Sequence, residues 1–220
     1  MRVYEDNYRH KGLRKKLIES LREKGITDEH VLEAMNKVPR HYFLDSALDD
    51  IAYEDRAFSI EENQTISQPY TVAFQTQLLK VKPNDKVLEI GTGSMYQGTV
   101  LAAMGARVLS VERHKKLYMK TKQFMLKKEY PESKIKFFNG DGFNGLLQFE
   151  PFDKIIITCG APFIPPKLIE QLKPGGIMVI PLAEDVHHKM LRITKNMDGT
   201  LVEETFDDFS FVPMLPGINK

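Results

Sequence analysis

The chain has 220 residues, of which 42% are hydrophobic, and its 31 lysines and arginines nearly balance 30 aspartates and glutamates. That length and apolar content suffice for one domain with a sizeable core. The balanced charge gives no indication of a nucleic-acid or anionic-membrane partner, and a single cysteine, Cys159, excludes an internal disulfide framework. With no long apolar run for a signal or a membrane span, we expect a cytoplasmic globular protein.

The N-terminal residues predict helices that cover a core. Leu17 and Leu21 lie on one helical face, and a second helix is predicted between Thr27, which precedes two acids, and Pro39. We therefore expect residues 1–60 to form a helical cap.

The stretch VLEIGTGSMYQGTVLAAMGARVLSVE, at 87–112, predicts a strand, a glycine turn, a helix and a second strand. Such a βαβ unit requires a parallel sheet. Gly91 and Gly93 let the backbone reverse and leave free N–H groups facing a ligand. Glu112 ends the second strand, where a ribose needs an acceptor. The pattern indicates a nucleoside-bearing cofactor, although a structural turn without a ligand would show the same residues.

The nature of that cofactor depends on Glu89 and on the missing third glycine. A dinucleotide fingerprint has a third small residue after the turn, and an acid before the first glycine would repel a pyrophosphate. S-adenosylmethionine carries no phosphate but a sulfonium and an ammonium group, which suit an acid. The sequence therefore favours a methyl donor over a dinucleotide.

The segment QTISQP, at 64–69, precedes another predicted helix. Ser67 is a good helix N-cap, and Pro69 suits the first helical turn. Thr65 and Ser67 are therefore either capping residues or hydroxyl groups that hold a carboxylate substrate at a helix N-terminus. The residues alone leave both interpretations open.

The second half of the chain predicts further strands at 135–138, 152–158 and 177–181, followed by a hairpin at 190–194 and 201–206. A lysine-rich helix at 113–130 is interpreted as a solvated outer face.

Four further residues have side chains that are candidates for binding or catalysis. Asp141 lies between glycines at a strand end, where it either accepts from an adenine amino group or forms a turn. Cys159 has no base partner in the sequence and is interpreted as a buried thiol. His187 and His188 lack further ligands nearby, so no metal site is predicted.

Together, three segments resemble a known family over nearly the full length of the chain. They are QTISQP at 64–69, VLEIGTGS at 87–94 followed by Tyr96 and Gln97, and LKPGG at 172–176. The chain is similar to the protein-L-isoaspartate O-methyltransferases, which repair isomerised aspartyl residues. The glycine turn and the LKPGG turn occur in many methyltransferases, whereas TISQP is specific to this family.

The resemblance implies an α/β, Rossmann-like methyltransferase fold: a mostly parallel twisted sheet flanked by helices, with an N-terminal helical extension. It implies a single domain over 1–220, divided into the cap at 1–60, a cofactor-binding core at 61–185 and a C-terminal hairpin at 186–220. The implied activity is S-adenosylmethionine-dependent methylation of the free carboxylate of isoaspartyl residues, with S-adenosylhomocysteine as product. Isoaspartyl proteins and peptides are the implied partners. We further expect a monomer that binds no nucleic acid, membrane or metal.

The resemblance also assigns roles to residues. Ser67 is the implied catalytic residue, and Thr65, Ile66, Ser67 and Val212 are the implied substrate-binding residues. The implied cofactor-binding residues are Glu89, Gly91, Thr92, Gly93, Ser94, Glu112, Arg113, Gly140, Asp141 and Gly142.

Two residues depart from the family pattern. Met95 stands where the family has a third glycine, so its side chain must point away from the cofactor or crowd it. Asn63 stands where a glycine commonly precedes Gln64, and asparagine is the non-glycine residue that best adopts positive φ. A methyltransferase acting on RNA or a small molecule, and a binding protein with a decayed cofactor site, are the alternative functions.

Overall fold

The computed structural model describes residues 5–128, 134–184 and 187–219. The helices are α1 Tyr8–Glu23, α2 Glu29–Lys37, α3 Pro69–Leu79, α4 Tyr96–Ala103, α5 Lys115–Lys128 and α6 Pro166–Gln171. The strands are β1 Phe58–Ser59, β2 Thr65–Ile66, β3 Lys86–Ile90, β4 Arg107–Glu112, β5 Ile135–Asn139, β6 Phe152–Ile157, β7 Leu172–Glu184, β8 His187–Lys195 and β9 Leu201–Phe209.

Seven strands form one sheet in the order β5-β4-β3-β6-β7-β8-β9. The pairs β3-β4, β4-β5, β3-β6 and β6-β7 are parallel, whereas β8 and β9 add an antiparallel hairpin. The predicted α/β fold with a mostly parallel sheet is confirmed. Strand order reverses between β3 and β6, and in such sheets a ligand crevice lies at the carboxyl ends of these strands.

The predicted βαβ unit and the predicted hairpin are both present. β3 and β4 pair in parallel with α4 between them, and the turn after β8 closes with a hydrogen bond from Asn196 N to Thr200 O of 2.8 Å. The helix predicted at 113–130 corresponds to α5, and its predicted last two residues lie outside the described part of the chain. The predicted boundary between 185 and 186 lies outside it as well, so the division into cap, core and hairpin stays a prediction.

The N-terminal helices pack against the core as predicted. Leu17 and Leu21 are buried on α1, and α2 packs against α3 and α4. The side chain of Asp28, rather than Thr27, caps α2 by accepting from His30 N at 3.0 Å. No helix in the described residues has the length and apolar character needed to cross a bilayer.

The start of α3 differs from the sequence expectation. Pro69 is the first helical residue as predicted, but Gln68 occupies the N-cap position and its side chain makes no capping bond. Asp55 caps the helix instead, since its Oδ1 accepts from Tyr70 N at 2.8 Å. The expectation that Ser67 is the N-cap is therefore wrong, and the capping interpretation no longer accounts for its hydroxyl group.

Candidate active site

A cavity lies at the carboxyl ends of β3, β4 and β6, beside the point between β3 and β6 where the strand order reverses. It encloses about 860 Å³ of non-protein space, part of it open to solvent. The glycine turn after β3 forms one wall, and β2 with the residue after it forms another. The C-terminal segment 212–215 lies across a third side. The sheet therefore brings three distant parts of the sequence to one cavity.

The glycine turn has a backbone geometry that side chains would obstruct. Gly91 and Gly93 have φ of +98° and +48°, in the left-handed region that favours glycine. A Cβ on Gly91 would lie 2.6 Å from Thr158 Oγ1, the atom that donates to Gly91 O at 2.7 Å. The turn is therefore a close-approach cradle with no side chain on either glycine.

Glu112 is a buried acid fixed at the edge of this cavity. Its Oε2 accepts from Gly93 N at 2.9 Å, and its Oε1 accepts from His114 N at 2.8 Å. Each carboxylate oxygen has a second lone pair for a ligand hydroxyl. This arrangement fits the nucleoside of S-adenosylmethionine, because a held carboxylate beside a glycine cradle can accept from the ribose.

The backbone of Ser67, which lines the same cavity as Glu112, is held by a buried guanidinium. Arg40 is 0% exposed, and its Nη2 donates to Ser67 O at 2.8 Å while its Nε donates to Ala52 O at 3.1 Å. The guanidinium carbon lies 4.9 Å from the ring centre of Tyr96, the first residue of α4. Arg40 thus connects the Ser67 segment to the helix that follows the glycine turn.

Most of the predicted site residues line this one cavity. They are Thr65, Ile66, Ser67, Gly91, Thr92, Gly93, Ser94, Glu112, Arg113, Gly142 and Val212. Glu89, Gly140 and Asp141 are not part of the lining.

Glu89 lies behind the glycine turn. In β3, Leu88 and Ile90 belong to one core cluster and Val87 to the other, so alternation places Glu89 on the opposite face from Ile90, which lines the cavity. A Cβ on Gly98 of α4 would lie 2.7 Å from Glu89 Oε2. Glu89 therefore lies outside the cavity lining, and its expected contact with the cofactor stays a prediction.

Burial and the charge of Glu112 raise the pKa of Glu89 to about 8, although Ser110 and the N–H of Gly98 lie near enough to lower it. Neither oxygen of this carboxyl group has a well-formed hydrogen bond within the described chain. Glu89 is therefore a neutral acid at pH 7.

Both carboxylate oxygens of Asp141 accept hydrogen bonds from the backbone. Its Oδ1 accepts from Phe143 N at 3.0 Å, and its Oδ2 accepts from Gly217 N at 2.9 Å. Arg113 donates to the carbonyls of Gly217 and Pro216 at 3.3 and 3.2 Å. Asp141 and Arg113 thus hold residues 216–217, directly after the C-terminal segment that lines the cavity, a role that the sequence did not indicate.

Met95 does not crowd the cavity. It has φ of 75°, its side chain is 1% exposed, and it packs in the core cluster rather than in the lining. Asn63 has φ of 55°, as predicted from its tolerance of the left-handed region. Both residues therefore adopt the left-handed conformation that glycine would have had.

Several lining residues were missed from the sequence. Thr158 and Cys159 follow β6, and Met214 and Leu215 belong to the C-terminal segment. Ligands in such sheets bind at the carboxyl ends of the strands, and because β6 neighbours β3, this rule would have identified Thr158 and Cys159. Burial, with the charge of Glu112, raises the pKa of Cys159 to about 12, so its thiol stays protonated at neutral pH.

The comparisons with known proteins agree with this geometry. The family model for protein-L-isoaspartate(D-aspartate) O-methyltransferase matches residues 12–218. The chain is 54% identical to a protein-L-isoaspartate O-methyltransferase of Cytophaga hutchinsonii over 211 residues, covering 96% of this chain and 94% of that protein. It is 51% identical to the protein of the same name from Flavobacterium johnsoniae over 214 residues, covering 97% and 99%.

Solved structures give the same result. A putative protein-L-isoaspartate O-methyltransferase from Plasmodium falciparum, in complex with S-adenosyl-L-homocysteine, superposes with a TM-score of 0.81 at 26% identity and covers 92% of this chain and 98% of its own. A second protein-L-isoaspartate O-methyltransferase superposes with a TM-score of 0.82 at 28% identity, covering 91% of this chain and 65% of its own. The chain belongs to the protein-L-isoaspartate(D-aspartate) O-methyltransferase family.

Proposed function

We propose that the cavity is the active site for methylation of isoaspartyl residues, with the cofactor on residues 91–94 and the substrate carboxylate at Ser67. The observation that carries the proposal is that Ser67 and the glycine turn line the same cavity. The chain is an S-adenosylmethionine-dependent enzyme by family, and its substrates are isoaspartyl proteins and peptides.

Roles follow from position in the cavity. Gly91, Thr92, Gly93, Ser94, Glu112, Arg113 and Gly142 would surround the cofactor, and Thr65, Ile66, Ser67 and Val212 would surround the substrate. Glu89, Gly140 and Asp141 would support the cofactor site from outside the cavity lining. The cofactor supplies an electrophilic methyl group on a sulfonium.

The chain needs no general base for this reaction. A carboxylate with an ordinary pKa near 4 is already ionised at neutral pH. An oxygen–carbon bond forms as the carbon–sulfur bond breaks, the two opposite charges cancel, and no proton moves. The protein has to align the two groups and remove water from the carboxylate. The Ser67 hydroxyl donates a hydrogen bond that holds the carboxylate in line.

The direct test uses labelled S-adenosylmethionine with two peptides that differ only in carrying aspartate or isoaspartate. We expect label in the isoaspartyl peptide alone. Equal labelling of both peptides, or of neither, contradicts the proposal.

Ser67→Ala tests the role of the hydroxyl. Loss of a hydrogen bond to a charged group should lower kcat/KM for the isoaspartyl peptide about 10- to 100-fold. Cofactor affinity, measured by calorimetry, should change less than twofold. Ser20→Ala in α1, outside the cavity, is the matched control. An unchanged kcat/KM in Ser67→Ala would remove the serine from the substrate site.

No finding favours the alternative functions. The alternative of a decayed cofactor site depended on Met95 crowding the cofactor, and the side chain of Met95 lies outside the cavity lining. A monomeric, cytoplasmic enzyme without a nucleic-acid partner remains our proposal, supported by the near-neutral charge and the single cysteine. Sedimentation of the purified chain tests the monomer.

A further inference from the structure

A second cavity, which we call the flanking cleft, adjoins the candidate active site. It shares Thr65, Ser67, Thr158 and Val212 with the cofactor cavity. From there it extends past the start of α3 to the end of β9 and encloses about 1050 Å³ of non-protein space, part of it open to solvent. A peptide whose reacting residue lies at Ser67 therefore has room to continue into the flanking cleft.

The flanking cleft combines aromatic rings with acids. Tyr70, Phe209 and Phe211 line it, and the rings of Tyr70 and Phe209 are nearly parallel, with centres 6.3 Å apart. Asp207 and Asp208 lie beside these rings, and none of the described residues in the lining is a lysine or an arginine. Aromatic faces next to a carboxylate favour a cation on an apolar stem.

The two aspartates differ in their partners. Asp208 forms an ion pair with Lys189 at 2.8 Å. Asp207 is exposed, and within the described part of the chain no basic group lies within ion-pair distance of it. Burial raises the pKa of Tyr70, and the charge of Asp207 raises it further. Asp207 is therefore the acid of the flanking cleft that has no ion pair among the described residues, since Lys189, whose charge acts on both aspartates, pairs directly with Asp208.

We propose that Asp207 is a specificity-determining residue, and that the flanking cleft selects isoaspartyl peptides with a lysine or arginine close to the isoaspartyl residue. This inference rests on the proposed function, because it assumes that the isoaspartyl carboxylate is at Ser67. The alkyl stem of the cationic side chain lies on the aromatic rings, and its charged end lies toward Asp207.

The test compares peptides that share one isoaspartyl residue and carry lysine, glutamine or glutamate at each adjacent position. For the unmodified enzyme at low ionic strength, we expect kcat/KM for the best lysine peptide to exceed that for its glutamate counterpart about 3- to 10-fold. The ratio should shrink in roughly 0.5 M salt, because exposed charges are screened.

Asp207→Lys should reverse the order of the lysine and glutamate peptides, and Asp207→Asn should bring their ratio close to one. Glu203→Lys is the matched control, because Glu203 is exposed on the same strand and does not line the cleft. Glu203→Lys makes the same change in net charge, so its lysine-to-glutamate ratio of kcat/KM should equal that of the unmodified enzyme.

A lysine-to-glutamate ratio that is the same in Asp207→Lys and in the unmodified enzyme would overturn the inference. Failure of the proposed function gives a different result, since then no isoaspartyl peptide of the set is methylated. If all peptides are methylated at equal rates, the function stands and the role of Asp207 does not.

Discussion

Glu89→Gln should make the free energy of unfolding less dependent on pH. The carboxyl group of Glu89 is fully buried behind the glycine turn, and its pKa is about 8 in the folded chain against an ordinary value of 4.5. Glutamine has nearly the same shape and cannot ionise, so the variant isolates the contribution of the titrating group.

The direction of this pH dependence follows from the number of protons that the folded and the unfolded chain bind. Below pH 4.5 the carboxyl group is protonated in both the folded and the unfolded chain, and its contribution is constant. Between 4.5 and about 8 only the folded chain holds the proton, so stability falls as the pH rises. Above about 8 both states are ionised and the loss levels off. The full loss is on the order of 5 kcal/mol.

The assay is urea unfolding of both proteins at pH values from about 5 to 9. The difference in unfolding free energy, variant minus unmodified protein, should rise by about 1.4 kcal/mol for each pH unit up to about 8 and then stay constant. Glu23→Gln, at an exposed position of α1, is the matched control. A difference that stays constant over the whole range would refute the argument that burial keeps Glu89 neutral.

Three further changes test the site. Met95→Gly should change cofactor affinity in calorimetry less than twofold. It should lower the free energy of unfolding by roughly 1–2 kcal/mol, since the loss of a buried side chain outweighs the relief of left-handed strain. Weaker cofactor binding would place Met95 in the site. Arg40→Met should lower the free energy of unfolding in urea by about 2–5 kcal/mol, because it leaves the carbonyls of Ala52 and Ser67 without donors. It should also raise KM for the peptide. An unchanged KM in the folded variant would contradict the positioning role of Arg40. Gly91→Ala should abolish cofactor binding in calorimetry. The new Cβ would lie 2.6 Å from the hydroxyl oxygen of Thr158, and residue 91 has a φ of +98° that alanine rarely adopts. Normal binding would show that the turn is not the cofactor cradle.

Local patterns were sufficient for the glycine turn. Gly91, Gly93 and Glu112 follow from one continuous βαβ stretch, so spacing alone places them at neighbouring strand ends. The role of Ser67 could not be derived in that way. Its local pattern favoured an N-cap, but Asp55, from an earlier segment, caps the helix. A side chain from elsewhere in the chain excludes the capping interpretation, and the substrate-binding role of Ser67 stays a proposal.

The remaining site residues depend on strand order. Thr158 reaches the cavity because β6 pairs with β3, and Met214 reaches it because the segment after β9 returns to Gly160, whose carbonyl accepts from Met214 N at 2.7 Å. Neither pairing has a local signature. The face of Glu89 was ambiguous for the same reason, since alternation along a strand gives two faces without showing which one carries the ligand.

The departures at Asn63 and Met95 show that these positions require a backbone conformation rather than glycine itself. Left-handed backbone costs a residue with a side chain about 1–2 kcal/mol, less for asparagine. A non-glycine residue also lowers the entropy of the unfolded chain, which returns about 0.4–1 kcal/mol. Met95 gains more by burying its side chain in the core, and its N–H donates to Thr92 O at 2.7 Å and closes the turn. Met95 therefore takes the left-handed conformation without adding its side chain to the cavity lining.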